Sequence, residues 1–238
     1  MFDATVTDGV LQVTQPGARW LSSGWDGGFH DTDVAYNISV PEGWERTDLT
    51  EYVGERRKRA GFVSSGPALL TGVDLGHLQG ARDRSVVVYA TAGVSNPAAL
   101  PMNPVKRRRN GSMDGDNGVS DSPVGTVNVI VGTTHALSEG ALTNLLGVVV
   151  EAKTATLLAE TGFTGTTTDA VIAGTVTSGE ETTFTGSATA IGASTRVCVR
   201  EAVQASLTSR YADRELPASV DDAKYGTITD RRAEVFTP

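Results

Sequence analysis

The chain has 238 residues, 39% of them hydrophobic, enough to bury a substantial core in one large domain or two small halves. Its 20 Lys and Arg against 28 Asp and Glu leave a net charge of −8, which repels nucleic-acid backbones and anionic membrane surfaces and counts against both as partners. The N-terminus MFDATVTDGV has neither a basic region nor an apolar signal core, and no apolar run approaches the ~20 residues of a membrane span, so a cytoplasmic location is expected.

In chain order, residues 10–15 and 18–21 read as two short strands around Gln15-Pro16-Gly17, an opening hairpin, because Pro and Gly set the backbone angles of a tight turn. Residues 21–30 are too rich in Gly and Ser for regular structure and predict an ordered loop. Val34-Ala-Tyr-Asn-Ile-Ser-Val40 is a strand that ends at Pro41. Leu49, Tyr52 and Val53, spaced i, i+3, i+4 within the charged stretch 48–60, predict a surface helix stopped by Gly61. Residues 68–73 and 85–91 read as strands. Residues 100–123 hold three prolines and almost no large apolar side chain, which predicts a mobile insertion whose basic cluster, 106–109, is solvated. Residues 127–131 have the length and composition of a strand. The clearest helix, 138–160, starts at Ser138 with Glu139 against the positive helix end. Strand and turn over 175–189 and a second long helix over 191–211 complete the pattern.

A weak echo runs through this order. The strand at Val34, a helix, Gly61-Phe62 and the strand at Ala68 are matched by Thr126-Val-Asn-Val-Ile-Val131, a helix, Gly162-Phe163 and the strand at Ala170, with Asn37 and Asn128 in equivalent places. The expectation is an α+β layered fold of two similar ββα-type halves, for which an α-β-β-α layering is one arrangement. It is expected to form a single domain over residues 1–211, with 212–238 as a C-terminal tail.

Polar residues on buried elements carry the chemistry. The helix over 142–158 is apolar on nearly all sides, which predicts burial. Lys153 shares a stripe with Val149 and Leu157, so it either finds a partner, shifts its pKa downward, or snorkels its head to water. Glu151, roughly 200° away round the helix, points elsewhere. Thr164-Gly-Thr-Thr-Thr-Asp169 presents hydroxyls, backbone N–H groups and a carboxylate, fit to hold a ligand or an oxyanion, or equally to form a Thr-rich turn capped by Asp. Thr91-Ala-Gly-Val-Ser-Asn96-Pro97 is a second polar turn. His30, His77 and His135 have no metal-ligand spacing, and no metal site is expected. Cys198, the single cysteine, can form no internal disulfide and shares a small-residue stripe with Ala202 and Ala205, which predicts an inert buried thiol. Trp20, Trp25 and Trp44 are expected either in the core or as the floor of a pocket for a flat ligand.

Taken in order, Thr91-Ala-Gly-Val-Ser-Asn-Pro-Ala98, Gly125-Thr-Val-Asn-Val-Ile-Val131, Glu151-Ala-Lys-Thr-Ala155, Gly165-Thr-Thr-Thr-Asp-Ala170 and Arg200-Glu-Ala-Val203 resemble the adenosylcobinamide amidohydrolase family, CbiZ, in a haloarchaeal-type member. The resemblance spans about 10–207, and residues 100–123 and 212–238 lie outside it. It implies hydrolysis of the amide that joins aminopropanol to the corrin ring's propionate, turning adenosylcobinamide into adenosylcobyric acid for cobalamin salvage. The corrinoid is then the substrate and no cofactor is implied. Amide hydrolysis needs a base, an oxyanion stabiliser and a proton for the leaving amine. The expected assignment is Asp169 or Glu151 as base, Lys153 as acid or orienting cation, and Asn128 with the backbone of Thr166, Thr167 and Thr168 as oxyanion donors. Asn37, Thr91, Asn96, Asn128, Thr166, Thr167 and Thr168 are expected to meet the amide-rimmed ligand. Two alternatives stay open: a threonine nucleophile exposed by self-cleavage before Thr126 or Thr166, and a corrinoid-binding protein that does no chemistry.

Only Lys58, Lys106, Lys153 and Lys224 are lysines, and Arg supplies the other 16 basic residues. An acidic, lysine-poor, Thr-rich chain suits concentrated salt, which screens the repulsion among excess carboxylates. The thermal unfolding midpoint, followed by circular dichroism, should therefore rise from dilute buffer to molar KCl. An unchanged midpoint would contradict the salt-adapted reading.

Overall fold

The computed structural model describes residues 1–41, 44, 46–104, 125–223 and 225–238. Most of the expected insertion, with its basic cluster, lies outside the described residues. The chain opens with β1 (Asp3–Thr7) and β2 (Val10–Thr14), an antiparallel hairpin around Asp8 and Gly9, which both adopt positive φ (49° and 68°). An Asp-Gly pair favours the two-residue turns with that backbone hand. Next come β3 (Ala18–Ser22), β4 (Gly28–Asp31), β5 (Val34–Ser39), α1 (Leu49–Arg59), β6 (Ala68–Thr71), β7 (Gln79–Asp83), β8 (Val86–Ala92) and β9 (Pro97–Ala99). Beyond residue 124 follow β10 (Val127–Leu137), α2 (Glu139–Thr161), β11 (Gly165–Thr166), β12 (Ala170–Val176), β13 (Glu181–Thr182), α3 (Ala190–Arg210) and β14 (Thr227–Ile228).

Two sheets pack face to face between helices. One runs β1-β2-β5-β6, the other β4-β3-β12-β10-β8-β7, with β13 paired to the far end of β10. Alternation along each strand separates the layers. Val10, Val34, Tyr36, Ile38 and Ala68 point outward from the first sheet onto Tyr52 and Val53 of α1. Val88, Ala90, Val127, Val129, Val131 and Val171 point outward from the second sheet onto α2 and α3. The residues between them, including Leu11, Val13, Ala35, Leu69, Val87, Ile130 and Ile172, form the core between the sheets. This is the α+β fold expected, in the α-β-β-α layering.

The echo in the sequence corresponds to repeated connectivity. In the first sheet a hairpin, β1-β2, pairs antiparallel to β5, which crosses through α1 to the parallel strand β6. In the second, the hairpin β7-β8 pairs antiparallel to β10, which crosses through α2 to the parallel strand β12. Each parallel pair needs a crossover long enough to hold a helix.

Several expectations need correction. β2 and β3 exist around the Gln15–Gly17 turn but do not pair: β2 lies in one sheet and β3 in the other, so the turn is a corner between layers. Asp33 holds that corner, with its carbonyl accepting from Gln15 N (2.7 Å) and its carboxylate from Gly17 N (2.7 Å). Part of the expected loop over 21–30 is the edge strand β4. α2 is not buried all round: Val150 (40% exposed) and Leu158 (51%) face outward. This helix is also long and apolar enough, by length and composition, to cross a membrane, although half of its apolar window is buried against the fold. It begins as expected, Ser138 Oγ accepting from Ala141 N (3.2 Å), and ends on Gly162 at φ 76°. The three tryptophans do not form one floor. Trp20 is in the inter-sheet core, Trp44 packs on Tyr52 of α1, and Trp25 is partly exposed. Within the C-terminal residues 212–238, β14 pairs in parallel with β9.

Two glycines make room for rings in the inter-sheet core. Trp20 and Phe2 meet edge to face (centroids 5.2 Å apart, 83°) directly above Gly174 and Gly132, where an added Cβ would fall 2.5 Å from the Trp20 ring and 2.4 Å from the Phe2 ring. Gly174→Ala should destabilise the protein by about 1–3 kcal/mol, the usual scale of overpacking, in urea unfolding. A stability equal to wild type would show that the rings can move aside.

Candidate active site

Between the sheets the core turns polar at one end. Along the inward face of β10, Gly132 and Ile130 give way to Asn128 and then to Thr126, just before the strand. Thr91 on β8 stands opposite Asn128 in register, and Asn37 comes from β5 of the facing sheet. All four are at most 2% exposed. Asn128 Nδ2 donates across the layers to Asn37 Oδ1 (3.0 Å) and to the Leu70 carbonyl (2.9 Å), and Asn37 Nδ2 donates to Thr91 Oγ1 (3.0 Å). The two asparagines that the sequence echo placed in equivalent positions therefore bond to each other.

A second cluster wraps the starts of β10 and β12. Lys153, on the inward stripe of α2, forms an ion pair with Asp169 at the mouth of β12, and the two side chains are only 7% and 10% exposed. Asp169 accepts from three further donors: Val127 N (2.9 Å), Thr166 N (3.1 Å) and Thr166 Oγ1 (2.5 Å). Gly165 is required beside this carboxylate, since a Cβ there would lie 2.7 Å from Asp169 Oδ2. Asn96 Nδ2 donates to Thr167 Oγ1 (2.7 Å) and Thr168 Oγ1 (3.3 Å), while its backbone carbonyl accepts from Thr167 N (3.1 Å). Thr126 and Thr168 share a short hydroxyl–hydroxyl bond. Because Thr126, Val127 and Asn128 are consecutive, the two clusters are one polar region.

The structure thus brings together Lys153, Asp169, Asn128, Asn37, Thr91, Asn96, Thr166, Thr167 and Thr168. It does not bring Glu151, which sits on the outer side of α2 in an exposed ion pair with Arg196 (2.5 Å) and accepts from Ser187 (3.2 Å). The bonding also limits what each group offers. Asn128 was expected to donate to an oxyanion, but both its N–H groups are committed within the fold, and its buried Oδ1 has no partner. Asn96 Oδ1 is likewise buried and unpaired. The backbone N–H groups of Thr166 and Thr167 are engaged by Asp169 and Asn96. The site therefore presents acceptors, on the two asparagines, and one cation, Lys153. Reasoning from the sequence missed the Val127 amide and the Leu70 carbonyl as fixing groups, and weighed Thr126 only as a product of self-cleavage. No sequence signal marks a backbone partner.

Among the described residues no group of three or more His, Cys, Asp or Glu could hold a metal ion. His30 and His77 engage the Asp26 carbonyl (3.0 Å) and Ser209 Oγ (2.9 Å), far apart in the fold. The Cys198 thiol is 1% exposed under β8, and burial pushes its pKa up to about 11, so it packs and does not react.

Removing one member of a buried pair leaves the other charge uncompensated. Lys153→Ala should destabilise by about 3–5 kcal/mol. Asp169→Ala should cost more, because it also strands buried donors at about 1–3 kcal/mol each. Urea unfolding of both variants checks the order, and Lys153→Ala proving the worse would refute the central place given to Asp169.

Residues 2–215 match the family model for CbiZ, adenosylcobinamide amidohydrolase. A protein of Halobacterium salinarum named adenosylcobinamide amidohydrolase is 51% identical and aligns over the whole of both chains. Another of that name, from Methanosarcina mazei, is 28% identical over 63% of this chain and 66% of its own. The family match over residues 2–215 and the 51% identity along the whole of both chains make this chain a member of the adenosylcobinamide amidohydrolase family.

Proposed function

We propose that the chain is a cytoplasmic amidohydrolase that cleaves aminopropanol from adenosylcobinamide, giving adenosylcobyric acid for corrinoid salvage and cobalamin synthesis. The observation that carries this reading is convergence. Four of the five segments of the resemblance, around Asn96, Asn128, Lys153 and Asp169, meet in one hydrogen-bonded region, although they are spread over some 80 residues of chain.

In the reaction the amide C–N bond breaks, the oxygen of water bonds to the carbonyl carbon, and a proton passes to the leaving amine. Lys153 suits both charge-related tasks. Its ammonium has three N–H groups, of which one is directed to Asp169, so it is held in place with donors to offer. Such a cation can stabilise the developing oxyanion and protonate the leaving amine, and the neutral amine that Lys153 then carries takes the proton given up by the attacking water, which restores the ammonium. Asp169 acts as a positioning residue: its two oxygens accept from four donors and so hold the ammonium, the threonine turn and the first amide of β10 in place. The unpaired carbonyls of Asn128 and Asn96 fit hydrogen-bond donors, namely the substrate amide N–H or the attacking water. Asn37 and Thr91 hold Asn128 in that orientation, and Thr167 and Thr168 hold Asn96. The corrinoid enters as substrate, and the scheme calls on no resident cofactor.

One observation favours a second reading. Thr126 follows Gly125, which adopts φ 88°, and its hydroxyl is bonded to Thr168, an arrangement compatible with a threonine nucleophile exposed by cleavage at that glycine. Intact-protein mass spectrometry decides it, a single full-length chain being the result expected for water as nucleophile.

Incubation with adenosylcobinamide should release 1-amino-2-propanol. Lys153→Ala, with folding checked, should lower turnover at least ~100-fold, the scale of a lost acid, and Glu151→Ala should stay within about twofold, as for other exposed ion pairs. Binding without release of the amine would leave a corrinoid-binding protein, and full turnover in Lys153→Ala would remove the assignment.

A further inference from the structure

The segment after α3 builds something where it returns. β14 pairs in parallel with β9, Thr227 opposite Ala98, and Tyr225 N donates to the Ser95 carbonyl (3.3 Å). Between this return and the end of α3 lies a cleft of about 430 Å³, bounded by Ser95, Tyr211, Arg214, Glu215, Leu216 and Asp222 among others. That volume lies within the range of small-molecule sites. Ser95 joins the cleft to the polar region described above. It precedes Asn96, and it packs so closely on Gly125, at the turn leading into Thr126, that a Cβ there would lie 2.6 Å from Ser95 N.

The lining restricts what would bind. Among the described residues that line it, one cation, Arg214, stands against two carboxylates, Glu215 and Asp222, a balance that disfavours phosphate and other anionic ligands. The Tyr211 ring is anchored by the Val94 N–H on its hydroxyl (3.0 Å), and with Leu216 it offers a flat, apolar contact. Ionised carboxylates accept only, and so suit paired hydroxyls. An uncharged nucleoside, with an aromatic base and a vicinal diol, presents that set of groups.

We infer that this cleft receives the adenosyl group of the corrinoid, an inference that rests on the substrate proposed above. The adenosyl group stands on the cobalt at the centre of the ring, whereas the scissile amide lies on a peripheral side chain. The two must occupy separate, adjoining places, and the step from Ser95 to Asn96 provides that adjacency. The cleft then makes the protein prefer adenosylated corrinoid over one whose upper ligand is water or hydroxide.

The test is binding, which does not depend on turnover. Dissociation constants for adenosylcobinamide and hydroxocobinamide are measured by quenching of tryptophan fluorescence, for wild type and for Glu215→Gln/Asp222→Asn. Both substitutions lie on the exposed rim, away from the Lys153 pair. Wild type should favour the adenosylated form at least about tenfold, near 1.4 kcal/mol. In the double variant this preference should fall below about threefold, with affinity for hydroxocobinamide unchanged. Equal affinities in wild type, a preference that survives in the variant, or a parallel loss for both ligands would each overturn the assignment. Preference for the adenosylated form without amine release would instead sink the proposed reaction and leave the cleft standing.

Discussion

Everything at the polar end of the molecule hangs on the contact between Lys153 and Asp169. A charge removed from water is tolerated only when paired and hydrogen-bonded. Asp169 meets that condition by gathering donors from three places: the ammonium of α2, the end of β11 and the first amide of β10. One carboxylate thereby fixes the helix layer, the loop and the sheet in a single arrangement. Its geometry also places Thr126 and Asn128, which follow directly from the amide it holds.

This end of the sandwich differs from the other for a volume reason as well as a chemical one. At the far end the bare strips at Gly132 and Gly174 make room for the Phe2 and Trp20 rings, and the space fills with apolar surface. Toward Asn128 the inward positions carry amides and hydroxyls that satisfy one another across the layers. The two carbonyl oxygens left unpaired among buried groups are therefore exceptions within a network that is otherwise closed.

Much of this was legible in the sequence. β5, β10, α1, α2 and α3 carry clear periodicity and end at Pro41, Gly61 and Gly162, and the stripe through Val149, Lys153 and Leu157 correctly put the lysine inside. The edge strands β1 and β7 did not stand out, since β1 is exposed along its whole length and β7 on alternate residues, so neither carries a strong apolar pattern. The Gln15–Gly17 corner misled because the same turn chemistry serves a hairpin and a passage between sheets, and only long-range pairing separates them. The roles of Asn128 and of the Thr166–Thr168 amides were out of reach for a related reason. Residue type shows that a group can donate, but only the fold shows that the donor is already engaged. Asp169 caps the threonine-rich turn through Thr166 and also pairs with Lys153, so the turn reading does not stand against an ionic role, as composition had suggested.

The bond between Asn37 and Asn128 has a consequence for how such a site acquires direction. The two residues sit at matching points of two units with the same connectivity, and a true twofold arrangement would bind both alike. Here each amide is completed by a different neighbour, Asn37 by the Thr91 hydroxyl and Asn128 by the Leu70 carbonyl, so that one oxygen alone stays open. A frame that repeats its own connectivity thus becomes unequal in chemistry through a single unlike pair of partners.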